Sequence, residues 1–393
     1  MRFHSKVDLI MNKPISQILI QLVICSICLQ VRIALAQQAT LKEAFDKDFL
    51  VGTALSTAQV LGDTPAALEL AARQFNSITA ENLLKWESVH PEPDRYDFEA
   101  ADKFVDFGEN HDMFVVGHTL VWHSQTPQWV FEDDQGNPLE RDALLDRMRD
   151  HIHTVVGRYK GRIHGWDVVN EAIVTDPNDE SRGSWRETPW YRIIGPDYIE
   201  KAFQFAHEAD PEAELYYNDF DEWKLGKRDY FGKIVSDLRN KNIRIDGIGL
   251  QGHWGLDYPT VTEIESMLTG LSQLGVKLMI TELDMNVLPS PSSNTGADVT
   301  MRIQDQPEFN PYPTGLPDDI QKQLSDRYEE IFRMFHDHRD TIGRVTFWGV
   351  DDGQSWRNYW PISGRTNYPL LFDRKYQPKP AFYSVLQVVG DEK

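Results

Sequence analysis

The stretch Trp166-Asp167-Val168-Val169-Asn170-Glu171-Ala172 decides how the rest of the chain is read. It opens on apolar, β-prone residues and ends in an amide and a carboxylate. That is the pattern of a buried strand that delivers Asn170 and Glu171 to its C-terminal edge. Val276-Lys277-Leu278-Met279-Ile280-Thr281-Glu282-Leu283-Asp284 repeats the pattern downstream and ends in Glu282. Acidic residues often cap the helix that follows a strand, so one such end says little by itself.

Outward from these two stretches, strand-like and helix-like segments alternate along the chain. Strands are expected at Phe49–Leu55, Phe75–Asn82, Met113–Trp122, Trp166–Ala172, Leu215–Phe220, Ile245–His253, Val276–Asp284 and Val345–Asp351. Helical periodicity falls between them, most clearly over Leu139–Tyr159, where Leu144, Leu145, Met148, Ile152, Val155 and Val156 share a face. Eight strand-then-helix units predict an α/β fold, a (β/α)8 TIM barrel, with its active site at the C-terminal ends of the strands. No composition shift marks a boundary, so residues 37–393 read as one catalytic domain. Leu288–Leu316, rich in Pro, Ser, Asn and Gly, is an unusually long loop for a compact domain.

The first 36 residues read as a secretory signal. Lys13 precedes an apolar run from Ile15 to Ile33, and Ala34-Leu35-Ala36 supplies small residues for cleavage before Gln37. Met11 would serve as a more compact start. Gln17, Gln21, Gln30 and Arg32 make the run too polar for a membrane span. A secreted or periplasmic location is therefore expected, with no membrane association after cleavage. Both cysteines, Cys25 and Cys28, lie in this run, so the exported chain is expected to carry neither disulfide nor cysteine metal site.

The chain has 40 Lys and Arg against 61 Asp and Glu, a formal charge of -21. Without a basic patch, such a chain is a poor partner for nucleic acid or anionic membrane. A neutral polymer is compatible with it. Tryptophan is plentiful, and beyond its use in cores its face stacks on the apolar C–H face of a sugar ring.

The strand ends carry polar and aromatic groups where a barrel strand would otherwise stay apolar. In chain order they bring Glu81, Asn82, Lys85 and Trp86; His118, Trp122, His123 and Gln125; Asn170 and Glu171; Tyr217, Asn218 and Asp219; Gln251 and His253; Glu282 and Asp284; then Trp348 and Trp356. Two carboxylic acids at strand ends suit cleavage of a glycosidic bond, where one protonates the leaving oxygen and the other attacks carbon or activates water. His118 and His123 beside acids raise the alternative of a metal site. No His-x-x-x-His pair or thiolate supports it, and neither metal nor cofactor is expected.

These residues resemble the family-ten glycoside hydrolases, the endo-β-1,4-xylanases. The resemblance rests on Thr79-Ala80-Glu81-Asn82-x-x-Lys85-Trp86, Gly117-His118-Thr119-Leu120-Val121-Trp122-His123, Trp166–Ala172, Gly249-Leu250-Gln251-Gly252-His253, Ile280–Asp284 and Phe347-Trp348-Gly349. It spans essentially the whole chain after the signal. It implies a retaining mechanism with Glu171 as acid/base and Glu282 as nucleophile, about 5–5.5 Å apart. By the same resemblance, His253 supports ionised Glu282 and is oriented by Asp284, and Asn170 binds the 2-hydroxyl of the sugar being cleaved. Glu81, Asn82, Lys85, His118 and Gln251 correspond to hydroxyl-binding groups, and Trp122, Trp348 and Trp356 to aromatic walls. Gln125 and Trp356 crowd the position where glucose has a hydroxymethyl group and xylose has hydrogen. Tyr217 is expected as a platform on the leaving side, with a place in the core as its alternative. The expected partners are xylan and xylo-oligosaccharides, bound by a monomer. A β-1,4-glucanase of the same fold and a catalytically inactive carbohydrate-binding barrel are the competing readings.

Overall fold

The computed structural model describes residues 40–290, 300–304 and 306–390. The expected signal and its cleavage point lie outside the described residues, as does part of the Leu288–Leu316 loop. Eight parallel strands form the barrel: β1 (Leu50–Leu55), β2 (Ser77–Ala80), β3 (Phe114–Val121), β4 (Gly165–Asn170), β5 (Glu214–Asp219), β6 (Gly247–Leu250), β7 (Lys277–Asn286) and β8 (Ile342–Phe347). Each pairs with the next, and β8 closes the ring against β1 with Leu50 opposite Arg344. Closure leaves no open sheet edge, which is what lets all eight strands be apolar and buried on both faces.

The helices form the outer layer. Helix Arg141–Arg158 buries Leu144, Met148, Ile152, Val155 and Val156, the face its periodicity predicts. Thr260 opens helix Val261–Ser272 with a capping box to Glu263, and Pro380 opens the closing helix Pro380–Val388 at its first position, where a missing N–H costs nothing. Among the described residues, no helix is long and apolar enough to cross a membrane.

Two features depart from the sequence reading. The expected sixth strand, Ile245–His253, is broken. β6 ends at Leu250, Gly252 turns the chain at φ +75°, and His253–Gly255 forms a separate short strand against Asp284–Asn286. A side chain disfavours that φ, so glycine sets the turn that aims His253 into the barrel mouth. The second is an antiparallel ribbon, Ile173–Asp176 with Asp179–Trp185, followed by helix Pro189–Ile194, in a stretch where the sequence pattern predicts nothing.

One glycine is fixed by packing. A Cβ on Gly117 in β3 would lie 2.1 Å from the Trp166 ring in β4, and that ring is fully buried. Gly117→Ala should therefore destabilise the fold by about 1–3 kcal/mol through overpacking. Urea unfolding followed by tryptophan fluorescence measures this, and an unchanged midpoint would refute it.

Candidate active site

A cleft of about 1190 Å³ opens at the C-terminal ends of the strands. Of the residues expected to form a site, Glu81, Asn82, Lys85, His118, Trp122, Gln125, Asn170, Glu171, Gln251, His253, Glu282, Trp348 and Trp356 line it. Asp284 lies behind His253, and Tyr217 stands apart.

Glu282, on β7, is 5 % exposed. One carboxylate oxygen accepts a hydrogen bond from Asn218 Nδ2 at 2.8 Å, and the other faces His253 Nε2 at 3.1 Å. The opposite ring nitrogen of His253 lies 3.0 Å from Asp284 Oδ1. Asp284 is fully buried and accepts from Arg357 Nε at 2.8 Å and Trp356 Nε1 at 2.7 Å. Two carboxylates and two cationic side chains thus alternate in one line, Arg357–Asp284–His253–Glu282.

The alternation sets their charges. Burial pushes the Asp284 carboxyl upward, but the Arg357 and His253 charges outweigh it and hold the group at about 2. Burial pushes His253 downward, yet the Asp284 charge and hydrogen bond, joined by Glu282, raise it to about 9. Burial likewise works upward on Glu282. The His253 hydrogen bond and the positive charge of His118, His253 and Lys85 overcome it and leave the group below its usual range. At neutral pH Glu282 is a carboxylate.

Glu171 follows β4 immediately and has different surroundings. Its oxygens accept from Trp122 Nε1 at 2.9 Å, Gln251 Nε2 at 3.0 Å and Asn170 Nδ2 at 3.3 Å. All three donors are neutral. They divide over both oxygens, Trp122 on one and Gln251 with Asn170 on the other, so they fix the position of the group. Asn170 Oδ1 accepts from Asn218 Nδ2 at 3.0 Å. Asn218 therefore reaches both Glu282 and the amide beside Glu171, and ties the two acids into one frame.

Toward β2 and β3, Lys85 Nζ donates to Asn82 Oδ1 and Gln125 Oε1, each at 3.0 Å, and sits 4.8 Å over the Trp122 ring. Gln125 is anchored by Asn82 and by Glu87, the latter at 3.0 Å. Burial lowers Lys85 and raises Glu81; the attraction between them opposes both shifts without reversing either. His118 is held by Asp167 at 2.9 Å and meets Trp348 edge to face. Trp356 stacks on Trp360 at 5.0 Å. Among the described residues, no group of three or more His, Cys, Asp or Glu is arranged to hold a metal.

Tyr217 is a correction. It is fully buried and its hydroxyl donates to Asp219 at 2.5 Å, so it offers no platform to a ligand. Its side chain belongs to the packed body of β5. Phe220, just past the strand end, lines the cleft instead, with Trp223 and Tyr258 nearby. The signal was available, because a residue beyond the last strand position sits in the loop above the barrel. Asn218 was visible as a polar strand end. Arg357 had no signal, since arginine after a loop tryptophan is ordinarily a surface residue.

A closed parallel barrel that brings two differently partnered carboxyl groups to one open cleft has the arrangement of a glycoside hydrolase. The chain belongs to glycosyl hydrolase family 10: residues 40–388 match that family's model. It is 46% identical over 356 residues to endo-1,4-beta-xylanase A of Xylanibacter ruminicola, covering 90% of this chain and 95% of that one. With an endo-1,4-beta-xylanase of Geobacillus stearothermophilus it shares 42% identity over 354 residues, 89% and 98% of the two chains. Among solved structures it is similar to a GH10 endoxylanase from a sugarcane soil metagenome, with a TM-score of 0.84 and 47% identity, covering 88% of this chain and 99% of that one. It is also similar to a mutant structure in complex with xylotriose, with a TM-score of 0.76 and 34% identity over 88% and 99% of the two chains.

The charge on His253 has a stability consequence. Its folded value, about 9, lies above the ordinary 6.5, so its contribution is complete below about 6.5 and is lost as pH rises through about 9. Between those limits the melting temperature of the wild type should fall more steeply with pH than that of His253→Asn. Calorimetry from about pH 6 to pH 10 checks this, and parallel curves would remove the charge from His253.

Proposed function

We propose that this chain is a secreted endo-1,4-β-xylanase that cleaves internal bonds of xylan with retention of anomeric configuration. The observation that carries the reading is the contrast between the two carboxyl groups. Glu282 is held as a carboxylate by a cationic neighbour, and Glu171 is held in place by neutral donors alone. The first suits a nucleophile and the second a group that must carry a proton, release it and take another.

In this reading Glu282 attacks the anomeric carbon while Glu171 protonates the departing oxygen. That forms a glycosyl-enzyme and leaves Glu171 ionised. Glu171 then takes a proton from the incoming water as the sugar–Glu282 bond breaks. Asn170 takes the 2-hydroxyl of the reacting sugar. Glu81, Asn82, Lys85, His118 and Gln251 bind hydroxyls on the non-reducing side, between Trp122, Trp348 and Trp356. Phe220 serves the leaving side. The anchoring of Gln125 by Asn82 and Glu87, and of Trp356 by Asp284, supports xylose over glucose, because neither side chain is free to swing away from a hydroxymethyl group. The names of the two relatives described above, both endo-1,4-beta-xylanases, support the same substrate class.

Five measurements test the reading. Glu282→Ala should abolish turnover of xylan. Glu171→Ala should keep its first step on an aryl xylobioside with a good leaving group and gain rate with azide. Proton NMR of fresh hydrolysate should show the β-anomer first; an initial α-anomer would make the enzyme inverting, with carboxyls about 6.5–9.5 Å apart. Equal turnover of carboxymethylcellulose and linear xylan would replace xylanase with glucanase. Export with cleavage after Ala36 predicts a mature N-terminus at Gln37, which N-terminal sequencing of the secreted protein checks.

A further inference from the structure

Glu171 is in the left-handed region at φ +59°. A residue with a Cβ is disfavoured there, and such a conformation persists only where its surroundings over-determine it. The surroundings are specific. The backbone of β4 stays paired with β5 up to Asn170, which lies opposite Asn218 after a register shift between Asp167 and Val169. Glu171 N–H then donates to Asn218 carbonyl at 2.9 Å, and there the left-handed turn takes the chain off the ladder.

The next two N–H groups find side chains of β5 in place of its backbone. Ala172 N–H donates to the Tyr217 hydroxyl at 3.0 Å, and Ile173 N–H to Asp219 Oδ2 at 3.3 Å. Tyr217 O–H donates in turn to that same Asp219 oxygen at 2.5 Å. The other Asp219 oxygen accepts from Lys227 Nζ at 2.6 Å and from Phe220 N–H at 2.9 Å. From the opposite side Arg186 Nε donates to the Glu171 carbonyl at 2.8 Å. Tyr217, Asp219 and Lys227 are all essentially inaccessible to solvent. A buried ion pair adds little to stability compared with apolar packing of similar volume, so the three polar residues call for another reason.

We propose that Tyr217, Asp219 and Lys227 form a positioning unit that fixes the left-handed turn at Glu171 and thereby aims its carboxyl at the leaving oxygen. The unit rests on the reading of Glu171 as the acid. None of the three touches the reacting atoms; they act through the Ala172 and Ile173 amides. The Tyr217 phenol is suited to its place, since burial and the adjacent Asp219 charge hold it well above its ordinary range and it keeps the proton it donates. Lys227 also places its ammonium 3.8 Å over the Phe220 ring. One cation therefore steadies both the turn behind Glu171 and the aromatic wall on the leaving side.

The test compares leaving groups, because a misplaced acid matters only where acid help is needed. Tyr217→Phe keeps the ring and removes the hydroxyl. Its kcat/KM for phenyl xylobioside, a poor leaving group, should fall by about 100-fold, the scale of a 1 Å misplacement. For dinitrophenyl xylobioside, which needs no proton, the loss should be about threefold or less. Asp219→Asn, which keeps an oxygen for Ile173 N–H, should show the same selectivity at smaller size and serves if Tyr217→Phe does not fold. A variant that is only less well folded loses both substrates equally. Equal losses, or none, beside a selective Glu171→Ala control would overturn the positioning role. A Glu171→Ala control that is itself unselective would overturn the assignment of the acid, and this inference with it.

Discussion

Burial of negative charge at the barrel mouth is the constraint from which the site follows. Glu171, Asp219, Glu282 and Asp284 all have little or no exposure, and Asp167 lies just beneath. An unpaired buried carboxylate costs several kcal/mol, so each must be neutralised, charge-paired or densely hydrogen-bonded. The chain uses each solution at a different place. Asp284 is paired to Arg357 and Asp219 to Lys227, and Asp167 is hydrogen-bonded to His118. Glu282 shares a cationic His253 with Asp284, and Glu171 has neutral donors alone. The cationic partners hold Asp284 and Glu282 below the usual carboxylate range.

The barrel makes this distribution practical. Adjacent strands place their C-terminal residues side by side, so partners distant in sequence meet without long side chains. Asn218 on β5 bridges Asn170 on β4 and Glu282 on β7, and Thr281 orients it through a 2.6 Å bond to its amide oxygen. Its amide nitrogen must then face both acceptors. Asn170 is fixed in the same way, since its oxygen accepts from Asn218 and Gln251, leaving its nitrogen toward Glu171. Short amides with both ends satisfied set the spacing of the two acids more rigidly than longer side chains would.

The fold was legible in the sequence because parallel strands buried on both faces leave continuous apolar runs, and the helices between them keep a 3.6-residue period. Polar residues at the ends of those runs were legible for the same reason: they interrupt it. Arg357 and the break at Gly252 were not, since one is an arginine in a loop and the other a glycine amid apolar residues, and only tertiary contact gives either a meaning. Tyr217 was misplaced by one feature of strand geometry. It alternates with Asn218, so the two point to opposite faces of β5, and Asn218 is the one that reaches Glu282. The ribbon after Glu171 carries mostly exposed polar residues and offers no apolar pattern to read.

Half of the left-handed non-glycine positions among the described residues lie at the cleft. Of the six non-glycine residues at positive φ among the described residues, Gln125, Glu171 and Asp221 line the cleft. Asp112 and Asn242 lie in turns after helices, where Asp and Asn adopt this conformation at modest cost. The cleft residues are held by cross-links to other loops. Gln125 carbonyl accepts from Glu87 N–H at 2.9 Å while its amide reaches Asn82 and Glu87, and Asp221 pairs at 2.9 Å with Lys224, which also reaches Glu180. Gln125 is thereby joined to the Asn82–Glu87 segment, and Lys224, the partner of Asp221, to Glu180 in the ribbon. The conformational cost at these positions therefore sits where rigidity is worth most, because a wall that shifts by an ångström changes what Glu171 and Glu282 can reach.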